Sequence, residues 1–104
     1  MGRSENAIES PVCEYAEDQG FLVRKFNSPS TIGVPDQIFF GFGTVFLIEF
    51  KSPNGRLEPY QKREINRIRE HGVRVFVVGD VEFGKSIIDG AKRVGEANGW
   101  HATT

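Results

Sequence analysis

Thr44-Val45-Phe46-Leu47-Ile48-Glu49-Phe50-Lys51 decides the fold of this chain. Val45 to Ile48 are apolar at consecutive positions, so an extended segment here buries both of its faces, as a central strand does. The run closes on Glu49-Phe50-Lys51, two charges flanking one apolar residue. Strand side chains repeat every two residues, so Glu49 and Lys51 fall on one face. Upstream, Gly41-Phe42-Gly43 separates this run from a second strand-like stretch at 36–40, which predicts a hairpin. The hairpin lays Asp36, at the start of its first strand, beside the charged end of the second. Two carboxylates and an ammonium therefore converge at one edge of the sheet.

Working outward, residues 21–26 alternate apolar and polar and predict an earlier strand, joined to Asp36 by a loop rich in Ser, Pro and Gly. Before it, Ala7, Ile8, Val12, Cys13 and Ala16 recur at helical spacing up to Gly20. Pro11 either kinks this helix or opens it, with Ser10 as N-cap. After the Ser52-Pro53-Asn54-Gly55 turn, Tyr60, Ile65 and Ile68 predict a helix ending at Gly72. A buried strand is predicted at 73–78 and a last helix at 81–97, with Ile87, Ile88, Ala91 and Val94 inward; 98–104 reads as a loose tail apart from Trp100. The helix between the strands ending at Lys51 and starting at Val73 makes that pair parallel. The class is α/β, a mixed central sheet flanked by helices, in a single domain over 1–104.

The 104 residues carry 13 Lys and Arg against 14 Asp and Glu, a net charge of -1, which argues against a histone-like or tail-driven nucleic-acid binder. The charges are nonetheless segregated. Acidic residues dominate 1–20, whereas Lys62, Arg63, Arg67, Arg69 and Arg74 outnumber Glu64 and Glu70 on and after the second helix, which predicts a basic face. The lone Cys13 rules out an internal disulfide and a cysteine-rich zinc site, and reads as a small buried apolar residue. No run of about 20 apolar residues is present to span a bilayer, and no signal-peptide pattern opens the chain, so a cytoplasmic protein is expected.

Neighbouring carboxylates repel unless a cation sits between them, and all-oxygen ligation suits Mg2+ or Mn2+. Such an ion leaves room for a phosphate and an attacking water, with Lys51 orienting that water or neutralising charge on the phosphate. By itself E-x-K is a common surface ion pair; the preceding Pro35-Asp36, at hairpin spacing, argues for a site. His71 suits the dipole of a helix C-terminus, and His101 carries no role.

Gly33-Val34-Pro35-Asp36, the Phe46 to Gly55 segment and Gln61 together resemble the VRR-NUC domain of the PD-(D/E)XK nuclease superfamily. The resemblance implies a restriction-endonuclease-like core, similar to archaeal Holliday junction resolvases. It also implies a homodimeric, Mg2+- or Mn2+-dependent endonuclease of the standalone bacteriophage or bacterial type, acting on branched DNA such as a four-way junction. It makes Asp36, Glu49 and the Phe50 backbone carbonyl the metal ligands and Lys51 the catalytic lysine. Gln61 steadies the site or touches DNA. A first-helix glutamate reaches the metal through water or a second ion, and its distance from Gly20 selects Glu9; Pro11 leaves Glu5 and Glu14 as alternatives. Lys25 and Ser28 are expected at a DNA phosphate, with Lys62, Arg63 and Arg67 supplying further contacts. The rival expectation is a non-catalytic DNA-binding or assembly module that keeps the fold.

Overall fold

The computed structural model describes residues 5–101, in the order α1 (Glu5–Gln19), β1 (Leu22–Lys25), β2 (Gln37–Gly41), β3 (Thr44–Phe50), α2 (Pro59–Glu70), β4 (Arg74–Val78) and α3 (Val81–Ala97). The strands form one sheet in the order β1-β2-β3-β4, antiparallel except for the parallel β3–β4 pair that α2 connects. This is the mixed α/β sheet expected, with boundaries shifted by a residue or two. Asp36, placed at the start of β2 by its pattern, lies just ahead of it.

Side-chain alternation sorts the sheet into two faces. Val23, Phe39, Phe46, Ile48, Phe50, Phe76 and Val78 meet α1 and α3, which contribute Ile8, Val12, Ala16, Ile88 and Ala91. Leu47 and Val75, flanked by Ile38 and Val77, meet Ile65 and Ile68 of α2 on the other face. β3 is thus covered on both sides, as its unbroken apolar run requires.

α1 runs through Pro11 rather than starting at it. α3 departs from the expected inward set, because Val94 is 48% exposed. The inner line is instead Gly84, Ile88, Ala91 and Gly95, at helical spacing. A Cβ on Gly84 would lie 2.5 Å from Val12 Cγ2, and one on Gly95 2.3 Å from the Phe42 carbonyl oxygen. Close approach to α1 and to the hairpin tip therefore selects glycine, which apolar periodicity does not register.

That tip is a two-residue loop, Phe42-Gly43, with φ of 53° and 77°. Positive φ at both positions matches the twist of the flanking strands. Phe42, unusual in this conformation, is held by ring contacts with Phe21 at 5.0 Å and Trp100 at 5.1 Å. Trp100 N–H donates to the Gly95 carbonyl at 3.0 Å, which draws the start of the expected tail back onto the domain; residues 102–104 of that tail lie outside the described residues. At the sheet's other margin, Arg69 Nε and Nη2 both donate to the Val75 carbonyl oxygen, at 3.1 and 2.6 Å. No helix among the described residues is long and apolar enough to cross a membrane.

Candidate active site

The end of the β2–β3 hairpin opposite its tip gathers the acidic residues. Buried Pro35 leads into Asp36, whose backbone is clamped from both sides: its N–H donates to the Ile48 carbonyl at 3.1 Å and its own carbonyl accepts from Phe26 N–H at 2.9 Å. Gln37 pairs with Ile48 at the end of the ladder, and the Asp36 N–H bond to that same Ile48 carbonyl sets Asp36 beside the Glu49–Phe50 end of β3. Asp36 Oδ2 accepts from Phe50 N–H at 2.8 Å. Glu49 is 3% exposed, and its Oε2 accepts from Gln61 Nε2 at 3.0 Å. Gln61 cannot turn its amide over, because Oε1 already accepts the Glu58 N–H at 2.8 Å at the start of α2. The capping of a helix thereby aims a donor at a buried carboxylate. Lys51 Nζ lies 3.6 Å from Glu49 Oε2 and 3.9 Å from Glu5 Oε1, close enough for ion pairing.

Burial dominates the electrostatics. Loss of water raises the Glu49 carboxyl from 4.5 to about 7, with the Asp36 charge adding to the rise and Lys51 opposing it. Asp36 is also raised, first by burial, with the Phe50 N–H pulling it back and Glu9 and Glu5 pushing it up.

Each carboxylate has one oxygen tied to a donor, Asp36 Oδ2 to Phe50 N–H and Glu49 Oε2 to Gln61, which leaves Asp36 Oδ1 and Glu49 Oε1 for another partner. The Phe50 carbonyl points toward the Asp36 side of β3, as its N–H does, because the two share an edge in a strand. Two carboxylate oxygens and a carbonyl on one side form a donor set that fits a hard divalent cation, which keeps several of its waters. Among the described residues no three His, Cys, Asp or Glu side chains close into a preformed cage.

Glu9 reaches the same end of the sheet from the α1 face, where its Oε2 accepts from Gln37 Nε2 at 2.6 Å. Glu5 lies nearer Lys51, and Glu14 is exposed. Gln37 was missed from the sequence; its place directly after Asp36 at a strand start was the available signal. Lys25 is exposed at the end of β1 opposite Gln37, and the Ser28 carbonyl closes a turn with Thr31 N–H at 3.4 Å. Lys62, Arg63 and Arg67 are exposed on α2. Arg69 and Arg74 leave the expected basic face: Arg69 is spent on Val75, and Arg74 points to the α3 side of the sheet. His71 Nδ1 sits 2.6 Å from the Arg67 carbonyl at the end of α2. Cys13 is half-buried, and burial lifts its thiol to about 12, so it stays protonated.

A mixed sheet with an Asp before one hairpin strand and Glu-x-Lys at the end of the next defines an α/β nuclease core of the PD-(D/E)XK kind. The chain belongs to the VRR-NUC domain family, whose model matches residues 9–81 and so takes in Glu9, Asp36, Glu49, Lys51 and Gln61. It is 33% identical over 75 residues to "Putative nuclease p44" of Acyrthosiphon pisum secondary endosymbiont phage 1, covering 71% of this chain and 81% of that protein. Among solved structures it is similar to a VRR_NUC domain at 30% identity and a TM-score of 0.74, over 84% of this chain and 97% of the other. A VRR_NUC domain protein at 20% identity, also with a TM-score of 0.74, shares the fold over 90% of this chain and 92% of its own.

Proposed function

We propose that the protein is a Mg2+- or Mn2+-dependent DNA endonuclease that acts as a resolvase-type homodimer on branched DNA, a four-way junction foremost. The observation that carries this reading is the gathering of Asp36 and Glu49 at one end of the hairpin, each with one oxygen committed, and Lys51 Nζ 3.6 Å from Glu49. Asp36, Glu49 and the Phe50 carbonyl would hold the cation, with Glu9 acting through water. The bound cation supplies Lewis-acid polarisation of the scissile phosphate and a lowered pKa for an attacking water. Lys51 offers its ammonium to the charge that develops on the phosphate or orients the water. Gln61 holds Glu49 in place. Lys25, Ser28, Lys62, Arg63 and Arg67 take backbone phosphates, which offsets the weak overall charge of the chain.

The dimer draws support from an apolar row on the α2 face that α2 leaves open: Leu22, Phe40 and Val45, aligned across β1, β2 and β3 and all exposed. A two-fold dimer would present two sites to symmetric strands. Labelled four-way junction, flap, single-stranded and linear duplex DNA, each incubated with Mg2+, Mn2+ or EDTA, tests the proposal. Cutting with the metals and none in EDTA is expected, fastest on the junction, from a species of about twice the chain mass in sedimentation. Undiminished cutting in EDTA would refute the metal site, and a monomer with equal rates on every DNA would end the resolvase part.

A further inference from the structure

The loop between β1 and β2 is closed at its base by the Phe26 N–H to Asp36 carbonyl bond, at the acidic end of the hairpin. The apex of the loop carries Ile32, which at 73% is the most exposed large apolar side chain described. Next to it, Gly33 has φ of 88°, and a Cβ there would fall 2.8 Å from the Tyr60 carbonyl oxygen and 3.0 Å from Tyr60 Cδ2. The apex therefore lies flush against Tyr60. Tyr60 is the second residue of α2 and is followed at once by Gln61, the residue bonded to Glu49. It remains 38% exposed, and neither it nor Ile32 belongs to either core cluster. Lys62 and Arg63 follow on the same helix, both exposed.

An isoleucine and an aromatic ring held out to solvent, outside the core and beside a phosphate-cutting site, have a physical use if bases come to them. Aromatic faces stack any base regardless of sequence, and branched aliphatic side chains wedge against bases that have left the helical stack. We propose that Tyr60 and Ile32 form a stacking platform for the base next to the scissile phosphate. In linear duplex that base must first be unstacked, whereas at a flap or splayed arm it is already free, so within branched DNA the platform makes the site select unpaired or splayed nucleotides. The proposal presupposes the nuclease reading of Asp36 and Glu49. Tyr60 and Ile32 are positioning residues within it, since neither touches the reacting atoms.

The test uses flap DNA with 2-aminopurine at the branch nucleotide, and linear duplex as comparison. Binding in EDTA should quench the 2-aminopurine fluorescence of the flap, with Tyr60→Phe quenching as the wild type does and Tyr60→Ala not. In cleavage with Mg2+, Tyr60→Ala should raise KM for the flap about 10-fold or more, the scale of one lost stacking contact, with kcat little changed. Its flap-to-duplex preference should fall correspondingly, Ile32→Ser should move the same way by less, and Tyr60→Phe should restore the wild-type values. Wild-type quenching and preference in Tyr60→Ala would overturn the platform. A wild-type protein that cuts nothing would count against the nuclease reading alone, because the quenching comparison in EDTA still decides the platform.

Discussion

Replacing Glu49 with Gln should stabilise the metal-free protein at alkaline pH and leave it nearly unchanged at acid pH. The Glu49 carboxyl loses its proton near pH 7 in the folded chain and near 4.5 when exposed. Between those values the folded state holds a proton that the unfolded state has released, so stability falls as pH rises through the window and is regained below it. At about 1.4 kcal/mol per pH unit the loss reaches about 3 kcal/mol above pH 7, a ceiling because solvent still reaches the neighbouring Lys51. Glutamine has the shape of the neutral acid, and its carbonyl oxygen can still accept the Gln61 amide that holds Oε2 at 3.0 Å. Urea unfolding of both proteins in EDTA at pH 5, 6, 7 and 8 reads the difference directly, since every other titrating group is shared. The curves should coincide near pH 5 and diverge by roughly 2 to 3 kcal/mol at pH 8, the variant being the more stable. Parallel curves would refute burial as the source of the shift, and a variant less stable at every pH would make Glu49 a structural hydrogen-bonding residue.

Lys51→Ala should lower the cleavage rate by about two orders of magnitude or more while leaving the affinity for Mn2+, measured by calorimetry, nearly intact. Gln61→Ala removes both the acceptor for Glu58 N–H and the donor to buried Glu49, and should cost about 1 to 3 kcal/mol in urea unfolding at pH 6. Gly95→Ala should lower stability by about 2 kcal/mol or more, because its Cβ would meet a backbone carbonyl at 2.3 Å. Gly90→Ala, on the same helix with nothing within 4 Å of the new atom, should instead raise the melting temperature slightly.

The sheet was legible because its signals are local. An unbroken apolar run, a Gly-bounded tip and a two-residue period suffice to place β2 against β3 and to bring Asp36 to the Glu49 end of the hairpin. The helices were legible in position and less so in orientation. Val94 fits the apolar period of α3, yet it faces out, because Gly84 and Gly95 let the helix settle on a different side; only the approach of Val12 and Phe42 makes those glycines the inner line. The same holds for Glu9. Its distance from Gly20 brings it to the right end of the sheet, but the choice of Gln37 as its partner depends on how α1 crosses β2. The dual duty of Gln61 was hidden for a similar reason, since a capping glutamine and a site glutamine look alike until Glu49 is opposite.

The Arg69 guanidinium on the Val75 carbonyl bears on how the molecule behaves in a crowd. β4 is a margin strand, Arg-Val-Phe-Val-Val, rich in β-branched and aromatic residues, and such a strand invites a neighbouring chain to pair with it. The Lys51 N–H bond to the Val78 carbonyl fixes which carbonyls face β3, so Val75 faces the open margin, where Arg69 holds it with two donors. A cation in that slot satisfies the acceptor a foreign strand would need and adds like-charge repulsion between approaching copies. The expected outcome of losing Arg69 is precipitation on refolding at high concentration, read by light scattering, before any lower melting temperature.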